Sequence, residues 1–585
     1  MSERNILKRD KRRYLLKSER AWGAETHAYL PELCDQLQRQ NIGRRDFLRQ
    51  ACLLGVSAGA AYGMAGMLTG EGLSLAGTAE AATPKAGGVL KVSMRVQEMT
   101  DPAKFPWTER SNVSRFIVEY LTRTRADNVT VPYLAERWET SDDLKTWVFH
   151  LKKGLKWSNG DAFTSADVAH TVNRWLDPKV GSSNLGLFGA MVEEYDTGKK
   201  DKDGKPKMGK RGIKGAVEVV DDNTIKFNLK QAALAMPENF YNYPTAITHK
   251  GFGKDYAADL SKNPIGTGPF DLVDFAIGER AILKKARDWW AGPFYLDEIH
   301  YYDHGEDTNA WIAALASQQV DMVYRVPNDA VETVKRLPFV NLHEATTAQT
   351  GVMRFRITEK PFDNKKLRQA VAACMDHEEI LKVAFRGLGQ VAENHHVCPI
   401  HPEYAKLPPL KRDIAKAKKL LAEAGYKDGI TLTIANGDTD GSWMTATCSV
   451  FKKQCEAAGI TVNINKMPAN QYWEVWDKAP WGYTTWTHRP LGTMVLSLGY
   501  RSGVPWNETA YANPAFDKAL DAAEATLDVN ERRGKIEVCE KMLQEDAVIP
   551  QPFWRSVFKA SNKKVKGFKT HPTLYHQFQD VWIDG

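Results

Sequence analysis

The sequence predicts an α/β chain of two lobes hinged about a cleft. Its 585 residues exceed one ordinary domain. Between Ile430 and Gly492 strand and helix patterns alternate as β-α-β-α-β, which calls for parallel strands with right-handed crossovers. The tail from Val548 to Gly585 returns to the strand-rich composition of the first part, so the chain crosses between lobes more than once, and lobes joined in that way hinge.

An apolar content of 43% and a charged content of 26% fit a globular chain rather than a disordered or membrane-embedded one. The formal charge is +7, but residues 1–82 hold twelve Lys/Arg against nine Asp/Glu, leaving +4 on the remaining 503 residues. So small a charge over that length gives no case for nucleic-acid binding.

Residues 1–82 read as an N-terminal arm and export signal. The paired arginines of Gly43-Arg44-Arg45-Asp46-Phe47-Leu48-Arg49 precede an uncharged Gly/Ala-rich run from Ala51 to Gly70, and Ala79-Glu80-Ala81 supplies a small-x-small cleavage pattern. The pattern is similar to twin-arginine signals. The basic arm from Lys8 to Arg20 is longer than such signals need. Cys374, Cys398, Cys448, Cys455 and Cys539 remain after that segment, an odd and scattered set that argues against a disulfide-built fold.

Beyond residue 82, Gly87 to Val92 opens as a strand. Thr146-Trp-Val-Phe-His-Leu151 alternates as another, and Gly154 to Gly160 forms a turn-rich hairpin. Thr164 and Asp167 have the spacing of a capping box at the start of a helix whose apolar face is Val168, Val172, Trp175 and Leu176. Lys199 to Lys214 is a solvated, Lys/Gly-rich insertion, and Pro264 to Phe270 is a glycine turn that leads into a strand. Asp363 and Asn530 are expected to cap helices, as is Asp376.

In the β-α-β-α-β stretch, strands are expected at Thr431–Ala435, Thr461–Lys466 and Tyr483–Trp486, and ligands of such sheets sit at the carboxyl ends of the strands. That edge holds Asn436, Trp443, Tyr472, Trp486, Thr487, His488 and Arg489, the expected ligand-binding residues. Arg489 offers a fixed positive charge and a planar fork suited to a carboxylate or phosphate. His488 can donate or accept, and Trp443, Trp486 and Tyr472 can stack on or cover a solute.

Leu134 to Leu151, continuing as Lys152 to Val168, together with Gly266 to Phe270, Phe362 to Ala370 with Asp376, and Asp413 to Gly425, resembles the peptide/nickel-type extracellular solute-binding proteins of family 5 that feed bacterial ABC importers. The likeness runs over nearly all of residues 85–585. It implies the two-lobed periplasmic-binding-protein fold, with lobe I at 83–303 carrying an extra subdomain near 126–215, lobe II at 304–545, and a return to lobe I at 546–585. It also implies a non-enzymatic monomer without a cofactor, which closes on a small-molecule solute and docks on inner-membrane permease subunits. Peptide-binding members pair the ligand's amino group with an acidic residue in the loop that here reads Thr487-His-Arg-Pro-Leu-Gly492 without a carboxylate, and the carboxylate-binding Arg of dipeptide binders falls at Ala446. A periplasmic binder of a small organic, anionic solute is therefore expected ahead of an oligopeptide or dipeptide binder.

A different class remains in view. His395-His396-Val-Cys398-Pro-Ile-His401 has metal-ligand residue types without zinc-finger spacing, so the alternative to a surface or hinge loop there is a metal- or cofactor-carrying periplasmic protein. No His-Glu-x-x-His motif or other catalytic constellation stands out.

Overall fold

A computed structural model describes residue 27 and residues 29–56, 58–69, 83–200, 204 and 206–585. The Lys8–Arg20 arm and the Ala79–Ala81 cleavage pattern lie outside the described residues.

Both lobes are built on one eleven-stranded sheet. Its first-lobe end runs Phe270–Ala276, Arg280–Lys285, Glu298–Tyr302, Val89–Ser93 and Met322–Val326, the last lying beyond the expected lobe boundary at 303 because it pairs with Val89–Ser93; its second-lobe end runs Trp481–Trp486, Ile430–Asn436 and Ile460–Lys466. Two long strands join the ends. Val340–Phe355 pairs with Phe553–Asn562 along its first part and with Trp481–Trp486 along its last. Phe553–Asn562 in turn pairs with Met322–Val326, and all ten of its residues are buried. The pairing of the two joining strands shifts register between Thr346 and Gln349, a bulge of the kind that lets a strand bend.

The β-α-β-α-β reading holds. Ile430–Asn436 pairs in parallel with both Ile460–Lys466 and Trp481–Trp486, and the helix Trp443–Glu456 makes the crossover. The capping box at Thr164 and Asp167 is present. Two caps fall elsewhere. Asn364, not Asp363, accepts the Lys366 and Leu367 amides, and Asp528, not Asn530, accepts the Glu531 amide. In each case the neighbour has the extended backbone that aims a short side chain back at the first turn. All seven cysteines are free.

The glycine turn is there for closeness. A Cβ on Gly266 would lie 1.8 Å from the Ile117 carbonyl oxygen, and one on Gly268 would lie 2.2 Å from that of Phe116. Beside it, a four-stranded sheet of Ala135–Thr140, Thr146–Leu151, Thr224–Asn228 and Val217–Asp221 forms the extra layer of the first lobe, with the exposed hairpin Val192–Lys200/Pro206–Gly212.

The described part of the arm packs on the body. Leu30–Gln38, Arg44–Leu53 and Ala58–Thr69 are helices, and Leu33, Phe47, Ala51 and Cys52 are fully buried in a core that also takes in Trp138 of the first lobe and Val529 and Ile536 of the second. Among the described residues no helix is long and apolar enough to cross a membrane.

Candidate functional site

The strand Trp481–Trp486 is aromatic and β-branched, and it sits between two partners. Arg489-Pro490 turns the chain out of it into a loop that faces the first lobe. The loop packs tightly on its neighbour: a Cβ on Gly492 would lie 2.7 Å from Val397.

A small cavity of about 10 Å³, room for roughly one water, lies between the lobes at this point. His488, Arg489, Pro490 and Met494 line it from the second lobe, Thr124, Glu238, Tyr241 and Asn242 from the first, and His571, Thr573 and Tyr575 from the returning tail. Arg115 braces the tyrosine wall, donating to the Tyr241 hydroxyl at 3.1 Å with its guanidinium carbon 4.2 Å from the Tyr575 ring centroid.

Arg489 is only 3% exposed. Its Nη1 donates to the Thr487 hydroxyl at 2.5 Å and to the His488 carbonyl at 3.1 Å, while its Nε has no hydrogen-bond partner among the described residues. Arg354 pairs with Glu508 at 3.1 Å and Arg555 with Asp440 at 2.5 Å, whereas Arg368 and Arg532, also buried in the second lobe, donate to backbone carbonyls as Arg489 does but do not line the cavity. A buried guanidinium with an open face and no counter-charge is the costly arrangement that a ligand relieves.

His488 is a positioning residue as well as a wall. Its Nδ1 accepts the Ala348 amide at 3.0 Å, so its Nε2 carries the proton and donates to Asn128 Oδ1 at 2.9 Å. Burial holds its pKa well below the usual histidine value, and burial lowers that of His571 to about 3, so neither adds charge to the cavity at neutral pH.

The remaining expected residues are used inside the second lobe. Trp486 donates from Nε1 to Glu508 at 2.8 Å and packs edge-on against Trp506. The Tyr472 hydroxyl bonds Thr484 at 2.7 Å. Asn436 donates to Asp438 and Thr445, fixing the loop before the 443–456 helix. Trp443 lies under the Arg555 guanidinium and packs on Phe553. Thr487 meets the cavity only through Arg489. None of these five lines the cavity.

His395–His401 is buried rather than a surface loop, and its rings serve the fold. His396 Nδ1 bonds the Tyr500 hydroxyl at 2.9 Å. His401 accepts the Cys398 amide at Nδ1 and so donates from Nε2 to the Arg489 carbonyl at 3.0 Å, which makes it a support for the cavity loop. Among the described residues no group of three or more His, Cys, Asp or Glu side chains is placed to hold a metal ion.

Glu238 was not legible as a site residue. It is 6% exposed, it lines the cavity from the first lobe, and its Oε2 has no hydrogen-bond partner. Burial raises its carboxyl pKa to about 7. Asp440 was missed too: it reaches from the second lobe to Arg555 of the joining strand and to Arg325 of the first-lobe end of the sheet.

Two lobes sharing strands and enclosing a charged cavity define a binding protein of the cleft type. The chain belongs to the bacterial extracellular solute-binding proteins of family 5, whose middle-region profile matches residues 129–505. Members of this family are the solute-binding components of ABC importers. The chain is 26% identical to the dipeptide-binding protein DppE of Bacillus subtilis (strain 168) over 573 residues, 91% of this chain and 98% of that one. It is 25% identical to the glutathione-binding protein GsiB of Pectobacterium atrosepticum over 474 residues, 78% of this chain and 86% of that one. The solved structure of the binding protein AgaA from A. tumefaciens R10 in complex with agropinic acid shares the fold, with a TM-score of 0.72 at 24% identity, covering 85% of this chain and 99% of that one.

Proposed function

We propose that this chain, with its lobes parted, captures a small organic solute between the walls that line this cavity and hands it to the permease subunits of an ABC importer, with Arg489 receiving an anionic group of the solute. The observation that carries this reading is the buried Arg489 guanidinium, open at Nε and without a carboxylate partner. The chain acts by binding and lobe closure rather than catalysis, as a monomer, in the periplasm, after export through a twin-arginine-type route directed by residues 1–82.

Glu238 favours a second reading of the same site. An uncompensated carboxylate on the facing wall suits a solute that also carries an amine, as a dipeptide or oligopeptide does, and the amine would then be received from the first lobe instead of from the 487–492 loop.

A thermal-shift screen of peptides, opine-like amino-acid derivatives, organic acids and sugars tests both readings. A ligand present at about 100 times its Kd adds about 2.7 kcal/mol of stability. Arg489→Ala should abolish the shift given by an anionic hit while the protein stays folded. An unchanged shift would remove Arg489 from the site.

A further inference from the structure

The arm touches both lobes. On the first, the Trp138 indole donates to the Leu53 carbonyl at 2.8 Å, Arg45 Nη2 donates to the Asp127 carbonyl at 2.8 Å, and the Tyr62 hydroxyl lies 3.1 Å from the Asp127 carboxylate. On the second, the Tyr29 hydroxyl donates to Asp528 at 2.7 Å, Gln36 donates to the same carboxylate, and Arg49 Nη1 donates to the Ile400 carbonyl at 3.2 Å.

Between these contacts lies a continuous apolar seam. Phe47, Ala51, Cys52 and Leu53 share one core with Val131, Leu134 and Trp138 of the first lobe and with Val529 and Ile536 of the second. Gly55 fits the seam with φ +87°, and a Cβ there would lie 2.2 Å from the Trp138 carbonyl oxygen. Pulling buried apolar side chains apart into water is unfavourable. The seam therefore opposes any movement that separates Trp138 from Ile536.

We propose that residues 29–69 form a clasp across the two lobes, which holds the cleft shut while the arm is in place and frees the hinge when the arm is lifted or cut away. The paired arginines lie within the clasp, Arg45 donating to the Asp127 carbonyl and Arg44 beside the Tyr62 ring. A chain that keeps its arm is then closed to solute exchange, and losing the arm sets solute binding free. This goes beyond the assignment of the cavity, and its test needs no solute.

The experiment measures the distance between the lobes in the full chain. Spin labels are placed at Val219→Cys and Val538→Cys, both exposed and on different lobes, in a chain carrying Cys34→Ser and Cys52→Ala so that the arm takes no label, and read by double electron–electron resonance. The labelled parent is expected to give a single short distance. The same chain with Tyr29→Phe and Arg45→Ala, and separately with Ala51→Arg and Gly55→Ala, should add a longer population. All four positions lie in the arm, so the lobes keep their own residues, and far-UV circular dichroism confirms that they stay folded. Protease sensitivity of residues 29–69 reports whether the arm has left its seat. A longer population appearing together with that sensitivity supports the clasp. A released arm with an unchanged short distance overturns it, and so does a parent that already samples the longer distance with its arm seated.

Discussion

His488 and Asn128 hold each other across the cleft. The histidine donates from Nε2 to Asn128 Oδ1 at 2.9 Å, and Asn128 Nδ2 donates back to the Pro490 carbonyl at 3.2 Å. Because His488 Nδ1 also takes the Ala348 amide, one imidazole links the bulge in the joining strand to the first lobe. Asn128 holds this position with φ +65°, a conformation that asparagine tolerates better than most residues. Asn128→Ala should cost about 1–3 kcal/mol, from two lost hydrogen bonds and a left-handed alanine. Urea denaturation reads this as a lower midpoint at unchanged slope; a wild-type midpoint would show that the contact carries no net stability.

Glu238 gives the second prediction. Burial is the main cause of its raised pKa of about 7, while the Thr130 hydroxyl and Arg532 pull it down and Glu403 pushes it up. The carboxylate is therefore lost as pH falls through about 7 and present above it. Affinity for an amine-bearing solute should rise between about pH 6 and pH 8, and Glu238→Gln should flatten that rise. Titration calorimetry with one dipeptide and its N-acetylated form distinguishes the amine from the rest of the solute. Equal affinities for the two would remove Glu238 as the amine's partner.

Arg354 and Glu508 form a fully buried pair in the second lobe, with Trp486 Nε1 on the other carboxylate oxygen. Removing one member leaves the other charge without a partner, which costs about 3–5 kcal/mol. Arg354→Ala should lower the melting temperature sharply. Exchanging both for apolar residues should cost far less, so a double-mutant cycle shows a large coupling.

Buried histidines should make the fold lose stability as pH falls below about 6.5. Burial is the main cause that lowers the pKa of His401 to about 4 and His571 to about 3, and it holds His396 and His488 well below the ordinary 6.5. Below 6.5 the unfolded chain takes up protons that the folded chain refuses, so stability falls as pH falls through that value, by about 1.4 kcal/mol per pH unit for each such group. Stability measured between pH 6.5 and about 4 should fall more gently in His571→Gln; the same slope as wild type would count against a buried neutral His571.

Gly266→Ala should be destabilising by about 1–3 kcal/mol or more, because its Cβ would meet the Ile117 backbone oxygen at 1.8 Å, an atom with no rotamer to escape into. Differential scanning calorimetry of the variant reads this directly.

Local rules carried much of the architecture from sequence. The parallel βαβ order, the Thr164 cap and the strand ending at Trp486 follow from residue periodicity and short-range geometry. Within the site, Arg489 and His488 were legible because one turn after one strand holds them. Glu238, Tyr575 and His571 were not, since they reach the cavity from parts of the chain 250 residues to one side and some eighty to the other. Trp486, Tyr472 and Trp443 show the opposite limit. An aromatic at a strand end is as able to fill its own lobe as to face a solute, and only packing decides. The arm's sequence carries the pattern expected of an export signal but gives no sign of a packed element, because its apolar residues look alike whether they meet a membrane, a receptor or the chain's own body.

The buried strand Phe553–Asn562 has a consequence for how the molecule is made. It is the last long strand in the sequence, yet it lies between Met322–Val326 of the first-lobe end and the other joining strand, Val340–Phe355. At about 5–20 residues per second a ribosome needs roughly 30–110 s to reach it. Until then, Met322–Val326 and Val340–Phe355 have a gap where their shared neighbour belongs. Each half can collapse during synthesis, but the molecule becomes one body only when the chain is almost finished. A truncation that stops short of residue 553 should leave two unjoined halves with bare strand edges, a state open to aggregation.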